Sequence, residues 1–72
     1  MPHIAINLYP GRDMEVKRDM AEKVKHMFIE DFGFSLGDIS VSVVEIGPEK
    51  FTEVINNIYD KEDLYISSNY IK

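Results

Sequence analysis

Residues 2–13 read Pro2-His3-Ile4-Ala5-Ile6-Asn7-Leu8-Tyr9-Pro10-Gly11-Arg12-Asp13, and they hold a whole strand, its stop signal and the start of a helix. Ile4, Ile6 and Leu8 alternate with His3, Ala5, Asn7 and Tyr9, the period-two pattern of a strand with one apolar face. Pro10-Gly11 ends the strand. Asp13 is a good N-cap, because its carboxylate can accept from the N–H groups left free in the first helical turn. From about Met14 to Phe32 the apolar positions Met20, Ala21, Val24, Met27, Phe28 and Phe32 keep the three-and-four spacing of a helical stripe. Glu15, Lys17, Arg18, Glu22, Lys23 and Lys25 fill the rest. Gly33 stands where a left-handed C-cap belongs, and residues 34–38 read as a loop.

Ile39-Ser40-Val41-Ser42-Val43-Val44-Glu45-Ile46 alternates again and predicts the second strand. Strand, long helix and strand make one βαβ unit, whose crossover leaves the strands parallel. Such a pair, covered by a helix on one face only, is not a viable sheet, so a second copy of the chain is expected to complete it. Beyond it, Gly47-Pro48 breaks the strand. Pro48 suits the first position of a helix in which Phe51, Val54, Ile55 and Ile58 form a stripe, ending near Tyr59. Residues 60–72 show no clear period, and helix, arm and short strand all stay open. The class is therefore α/β (α+β), with a short C-terminal helix and one domain over residues 1–72.

The chain has 72 residues, 44% of them hydrophobic, and no cysteine. A domain this small buries only about 60% of the surface its unfolded chain exposes, so self-association is again expected. With two histidines and no thiolate, no structural zinc site is expected. Eight basic against 13 acidic side chains give a net charge of −5, which argues against a nucleic-acid partner. No stretch approaches the roughly 20 apolar residues of a membrane span, and residues 1–30 lack the pattern of a signal peptide, so a cytoplasmic protein is expected.

Met1-Pro2 carries the first chemical hint. Removal of Met1 would leave the ring nitrogen of Pro2 as a free secondary amine. A free α-amino group titrates at about 7.7 to 8.0, and apolar walls or a nearby cation would push it toward neutrality, where it could take and return protons. Gly11-Arg12 supplies a cation at the strand-to-helix turn, and a guanidinium suits a planar carboxylate with two parallel hydrogen bonds.

On these residues the chain resembles the 4-oxalocrotonate tautomerase superfamily, small proteins with an amino-terminal catalytic proline. The resemblance runs without gaps from Pro2 through Gly11-Arg12, the long helix and the second strand as far as Phe51. Met1-Pro2-His3-Ile4, Gly47-Pro48-Glu49 and a tail helix in place of a final hairpin lean toward the dimeric, phenylpyruvate-tautomerase-type bacterial branch. It implies the βαβ tautomerase fold, with a four-stranded sheet completed by dimerisation and two helices on one side. A homodimer is expected, with a higher oligomer open.

The implied activity is that of an isomerase, a cofactor-free keto–enol tautomerase acting on small 2-oxo acids. Pro2 would be the general base that takes a proton from the enol hydroxyl of an enolpyruvate or 2-hydroxydienoate and delivers one to carbon. Arg12 would engage the substrate carboxylate. Phe51 would wall the pocket, or simply pack the second helix against the sheet. His3 would hydrogen-bond substrate, or serve as a partly buried structural histidine, while His26 lies outside the stripe and is expected at the surface. Ser40 stands where the family has a second arginine. Loss of such a cation in a comparable oxyanion site costs roughly 2.7 to 4 kcal/mol, which shifts the expected substrate toward monocarboxylate enols such as phenylenolpyruvate.

Two other classes remain open. A hydratase or dehalogenase-type lyase would keep Pro2 protonated and need a carboxylate to activate water, for which Glu45 and Glu53 are available by type. A non-catalytic dimeric binding protein would leave Pro2 without a role.

Overall fold

Strand β1 (His3–Leu8), helix α1 (Met14–Phe32), strand β2 (Ser40–Glu45) and helix α2 (Pro48–Asn56) follow one another in the computed structural model, which describes residues 1–72. Short 3-10 turns lie at Leu36–Asp38 and Lys61–Asp63. Strands β1 and β2 pair in parallel with His3 opposite Ser40 and Leu8 opposite Glu45. That register puts Ile4, Ile6, Leu8, Val41, Val43 and Glu45 on one face. His3, Ala5, Asn7, Ser40, Ser42 and Val44 share the other.

Helix α1 begins and ends on the residues the sequence predicts. The Asp13 side chain accepts from Val16 N at 2.9 Å, and Gly33 caps the other end at φ 76°, a conformation that suits a residue without Cβ. Lys17, Met20, Ala21, Val24, Lys25, Phe28 and Ile29 are half-buried on α1. Two members of the expected stripe leave it, since Met27 is 40% and Phe32 63% exposed. Ile29 and the stems of Lys17 and Lys25 contribute instead, as long basic side chains can cover apolar surface while their charge stays wet. Phe28 still gathers Phe32 at 5.5 Å and Phe34 at 5.8 Å, so the end of the helix is bound by aromatic contacts.

Strand β2 is one residue shorter at each end than the alternation predicts. Ile39 follows the 3-10 turn as one of only two buried residues, and Ile46 N donates to Leu8 O at 2.7 Å just past the strand. Helix α2 stops at Asn56 rather than near Tyr59. Asn56 and Asn57 are weak helix formers, and Ile58, expected on the apolar stripe, is 60% exposed beyond the cap. The tail after Lys61–Asp63 is neither helix nor strand. It folds over itself through the Ser68 hydroxyl, which accepts from Tyr70 N and Ile71 N, and buries Ile71.

The protomer is a thin slab, 35 × 32 × 18 Å, with a radius of gyration of 13.5 Å. A compact chain of this length would have a radius of about 11 Å. Its surface of 5788 Å² exceeds by roughly 1,200 Å² what a folded monomer of 8.3 kDa exposes. Only Ile39 and Ile71 are buried, and Met14, Phe32, Leu36, Ile58 and Ile66 are all more than half exposed. Both sheet edges are also free of strand partners. These features leave apolar surface and both sheet edges uncovered.

Candidate active site

Pro2 precedes β1 and is half-buried, its carbonyl accepting from Ser40 N at 3.2 Å. The parallel register therefore brings Pro2, His3 and Ser40 together at one end of the sheet. The His3 ring lies between two hydroxyls, Nδ1 at 2.7 Å from Ser40 Oγ and Nε2 at 3.1 Å from Ser42 Oγ. His3 is exposed, not partly buried as one sequence reading had it, because no element covers the face it shares with Ala5 and Ser42. Ser42 escaped the sequence reading. Its signal was the Ser40-Val41-Ser42 alternation, which keeps both hydroxyls on the face of His3 once the register is known.

Arg12 and Phe51 lie at the other end. Strand β1 spans six residues, so about 20 Å of extended chain separates Pro2 from the turn that carries Arg12. There Arg12 Nη1 donates to Tyr9 O at 3.4 Å, and the Tyr9 and Phe51 rings meet edge to face at 5.0 Å. Phe51 occupies the first turns of α2, and the Tyr9 contact holds it against the end of β1. Tyr9 was a strand residue without a role in the sequence. Its place beside both Arg12 and Phe51 follows from Pro10-Gly11, which turns the chain straight after it.

Glu45, the last residue of β2, ties this end together. Its Oε2 accepts from Gly11 N at 3.1 Å and Arg12 N at 3.3 Å, and its Oε1 lies 3.5 Å from Lys17 Nζ. Gly11 has φ 130°, a backbone conformation that L side chains rarely adopt, so the turn that presents both amides to one carboxylate needs glycine. The bond from Arg12 N, then that from Gly11 N, and more weakly the Lys17 ammonium, hold the Glu45 carboxyl below its ordinary value. A carboxylate so engaged is a poor base for activating water.

His26 is at the surface, 3.8 Å from Glu30 one turn on. Tyr59 is half-buried and donates to Asn56 Oδ1 at 3.2 Å, whereas Tyr65 and Tyr70 point into solvent at 93% and 71% exposure. The two surface concavities of the protomer lie along Glu15–Glu22 of α1 and between Asn56 and Lys72, and neither includes Pro2, His3, Arg12, Ser40 or Phe51. Nowhere do three or more His, Asp or Glu side chains converge as metal ligands would. No helix is long and apolar enough to cross a membrane.

The protomer thus carries a small βαβ unit with two chemically distinct ends, one bearing Pro2 and the other a guanidinium beside an aromatic pair. No protein-family model matches the chain, and no curated protein matches it either.

Proposed function

We propose that this protein is a cofactor-free tautomerase that interconverts enol and keto forms of small 2-oxo acids, with Pro2 as general base after loss of Met1. The observation that carries the reading is the division of groups between the two ends of β1. Pro2 lies before its first residue, and Arg12 follows its last with Tyr9 and Phe51 alongside. A base and a carboxylate anchor about 20 Å apart cannot act on one small molecule.

A second copy removes the difficulty. Related by a two-fold axis normal to the sheet, it would pair antiparallel along the free edge of β1 and set Pro2 of one protomer beside the turn of the other. That pairing also completes a four-stranded sheet and draws on the excess surface of roughly 1,200 Å² per protomer, about 2,400 Å² for the pair, which is on the scale of a homodimer interface. In the assembled site Arg12 holds the substrate carboxylate, and Tyr9 and Phe51 enclose the remainder in an apolar wall that lowers the pKa of the proline nitrogen. The amine accepts the enol proton and returns a proton to carbon, so no cofactor is consumed. We place the protein in the cytoplasm as a homodimer.

The test is the ultraviolet decay of phenylenolpyruvate with protein whose mass confirms loss of Met1, run beside Pro2→Ala. Enzyme-dependent ketonisation that vanishes in the alanine variant supports the proposal. No acceleration above buffer, or equal rates for the two proteins, rejects it. The lyase alternative is disfavoured by Glu45, whose carboxylate is committed to Gly11, Arg12 and Lys17.

A further inference from the structure

Residues 10–12 take part in no backbone–backbone hydrogen bond. The turn that carries Arg12 is instead held from outside, by the carboxylate at the end of the neighbouring strand. Glu45 is not at the surface by default. Its position opposite Leu8 on the helix-facing side of the sheet aims it at the gap between β1 and α1, and its side chain is only 27% exposed. One oxygen receives both turn amides and the other faces Lys17 on α1, so a single side chain joins β2, the turn and the helix.

We infer that Glu45 is a positioning residue, which sets how tightly the site grips a substrate carboxylate by fixing the Gly11–Arg12 backbone and hence the Arg12 guanidinium. This rests on the tautomerase reading above and adds a residue to it. With the amides anchored, the Arg12 side chain starts from a fixed Cα and needs only its own rotamers to reach the ligand. Without them, the left-handed glycine at position 11 leaves the turn free to pivot, and the cost of ordering it falls on binding. A carboxylate clamp acts in ground and transition states alike, so the loss appears in KM and leaves kcat almost untouched.

The experiment is steady-state ketonisation of phenylenolpyruvate by Met1-free protein in five forms: wild type, Glu45→Met, Arg12→Ala, the double variant and Lys17→Met. Circular dichroism confirms the fold of each. Glu45→Met, which removes the oxygen that accepts both amides, should raise KM about tenfold and leave kcat within about twofold, as a displaced anchor requires. Arg12→Ala should raise KM at least as far, and the double variant should match Arg12→Ala alone, because Glu45 acts only through Arg12. Lys17→Met, which spares both amide bonds, should stay within about twofold of wild type.

KM effects that multiply in the double variant, a fall in kcat in place of a rise in KM, or a Lys17→Met effect equal to that of Glu45→Met would each overturn the role given to Glu45 and leave the tautomerase reading standing. Absence of turnover in the wild type would overturn both. Should Glu45→Met fail to fold, Glu45→Asp serves in its place, since its shorter arm draws the accepting oxygen back from both amides and the same KM rise is expected.

Discussion

At the His3 end of the sheet an imidazole lies between two hydroxyls on an uncovered face, whereas at the Leu8 end a carboxylate receives two backbone N–H groups and faces an ammonium on the helix side. The first arrangement is made by side chains alone and can be lost without disturbing the chain path. The second is made to backbone and determines where a turn runs. A cation meant to hold a ligand needs the second kind of support, while a terminal amine needs mostly space and a pocket wall. The protomer has no concavity at either end, and under the proposed function each end would supply one side of a site.

The largest expected effect breaks the comparison outright. Pro2→Ala should reduce ketonisation by about 10² to 10⁴-fold, the usual contribution of a positioned proton-transfer group, with an unchanged far-ultraviolet spectrum. At substrate well below the wild-type KM, where Arg12→Ala protein is nearly silent, mixing Pro2→Ala with Arg12→Ala protein and allowing subunits to exchange should then restore about one quarter of wild-type activity, because half of random dimers are mixed and each regains one complete site. Activity that stays at the level of the separate variants would mean that both ends do not meet across two copies.

Next in size is Phe51→Ala, which removes the edge-to-face contact with Tyr9 at 5.0 Å. A half-buried aromatic with such a partner is worth about 2 kcal/mol, so the unfolding free energy read from a urea titration should fall by that amount. The same variant should raise KM, since the aromatic wall is lost.

The Glu45 network predicts a pH dependence of stability confined to the Leu8 end. The folded-state pKa of Glu45 lies below the ordinary value of 4.5, so its stabilising contribution is fully present above that value and is lost as pH falls through the lower one. The difference in melting temperature between wild type and Glu45→Gln should therefore shrink steadily on acidification. A difference that stays constant down to the most acidic folded condition would contradict it. Contributions common to both proteins cancel in the comparison.

Smallest is Ser42→Ala at the His3 end. An exposed hydroxyl–imidazole bond of 3.1 Å contributes less than about 0.5 kcal/mol, so stability should not move measurably. A loss of more than about 1 kcal/mol would show that this end is covered in the assembled protein, where a broken bond leaves a buried polar group unpaired.

Much of the path of the chain was legible because its signals are local. Asp13 and Gly33 mark α1 through the capping needs of four free amides and carbonyls at each end, and both act within one turn. Period-two alternation located β1 and β2 for the same reason. Met27 and Phe32 misled because their spacing fits a helical stripe, yet the sheet is two strands wide and does not extend under them. Phe51 was readable as an aromatic early in α2, but its pairing with Tyr9 was not, since nothing local relates two rings 42 positions apart. The tail was illegible for a different reason: it has no period, and its one fold-back is local to Ser68, whose hydroxyl accepts from Tyr70 N and Ile71 N and whose N–H donates to Ile71 O at 2.8 Å.

By itself the sequence determined the order of elements, the ends of the long helix and the groups with useful chemistry, because capping, alternation and side-chain type are properties of neighbours along the chain. Only the tertiary structure decided that Pro2, His3, Ser40 and Ser42 share one end of the sheet while Tyr9, Arg12, Glu45 and Phe51 share the other. That division follows from the strand register, which is set by burial of the Ile4, Ile6, Val41 and Val43 face against α1 and is therefore a property of packing between segments remote along the chain.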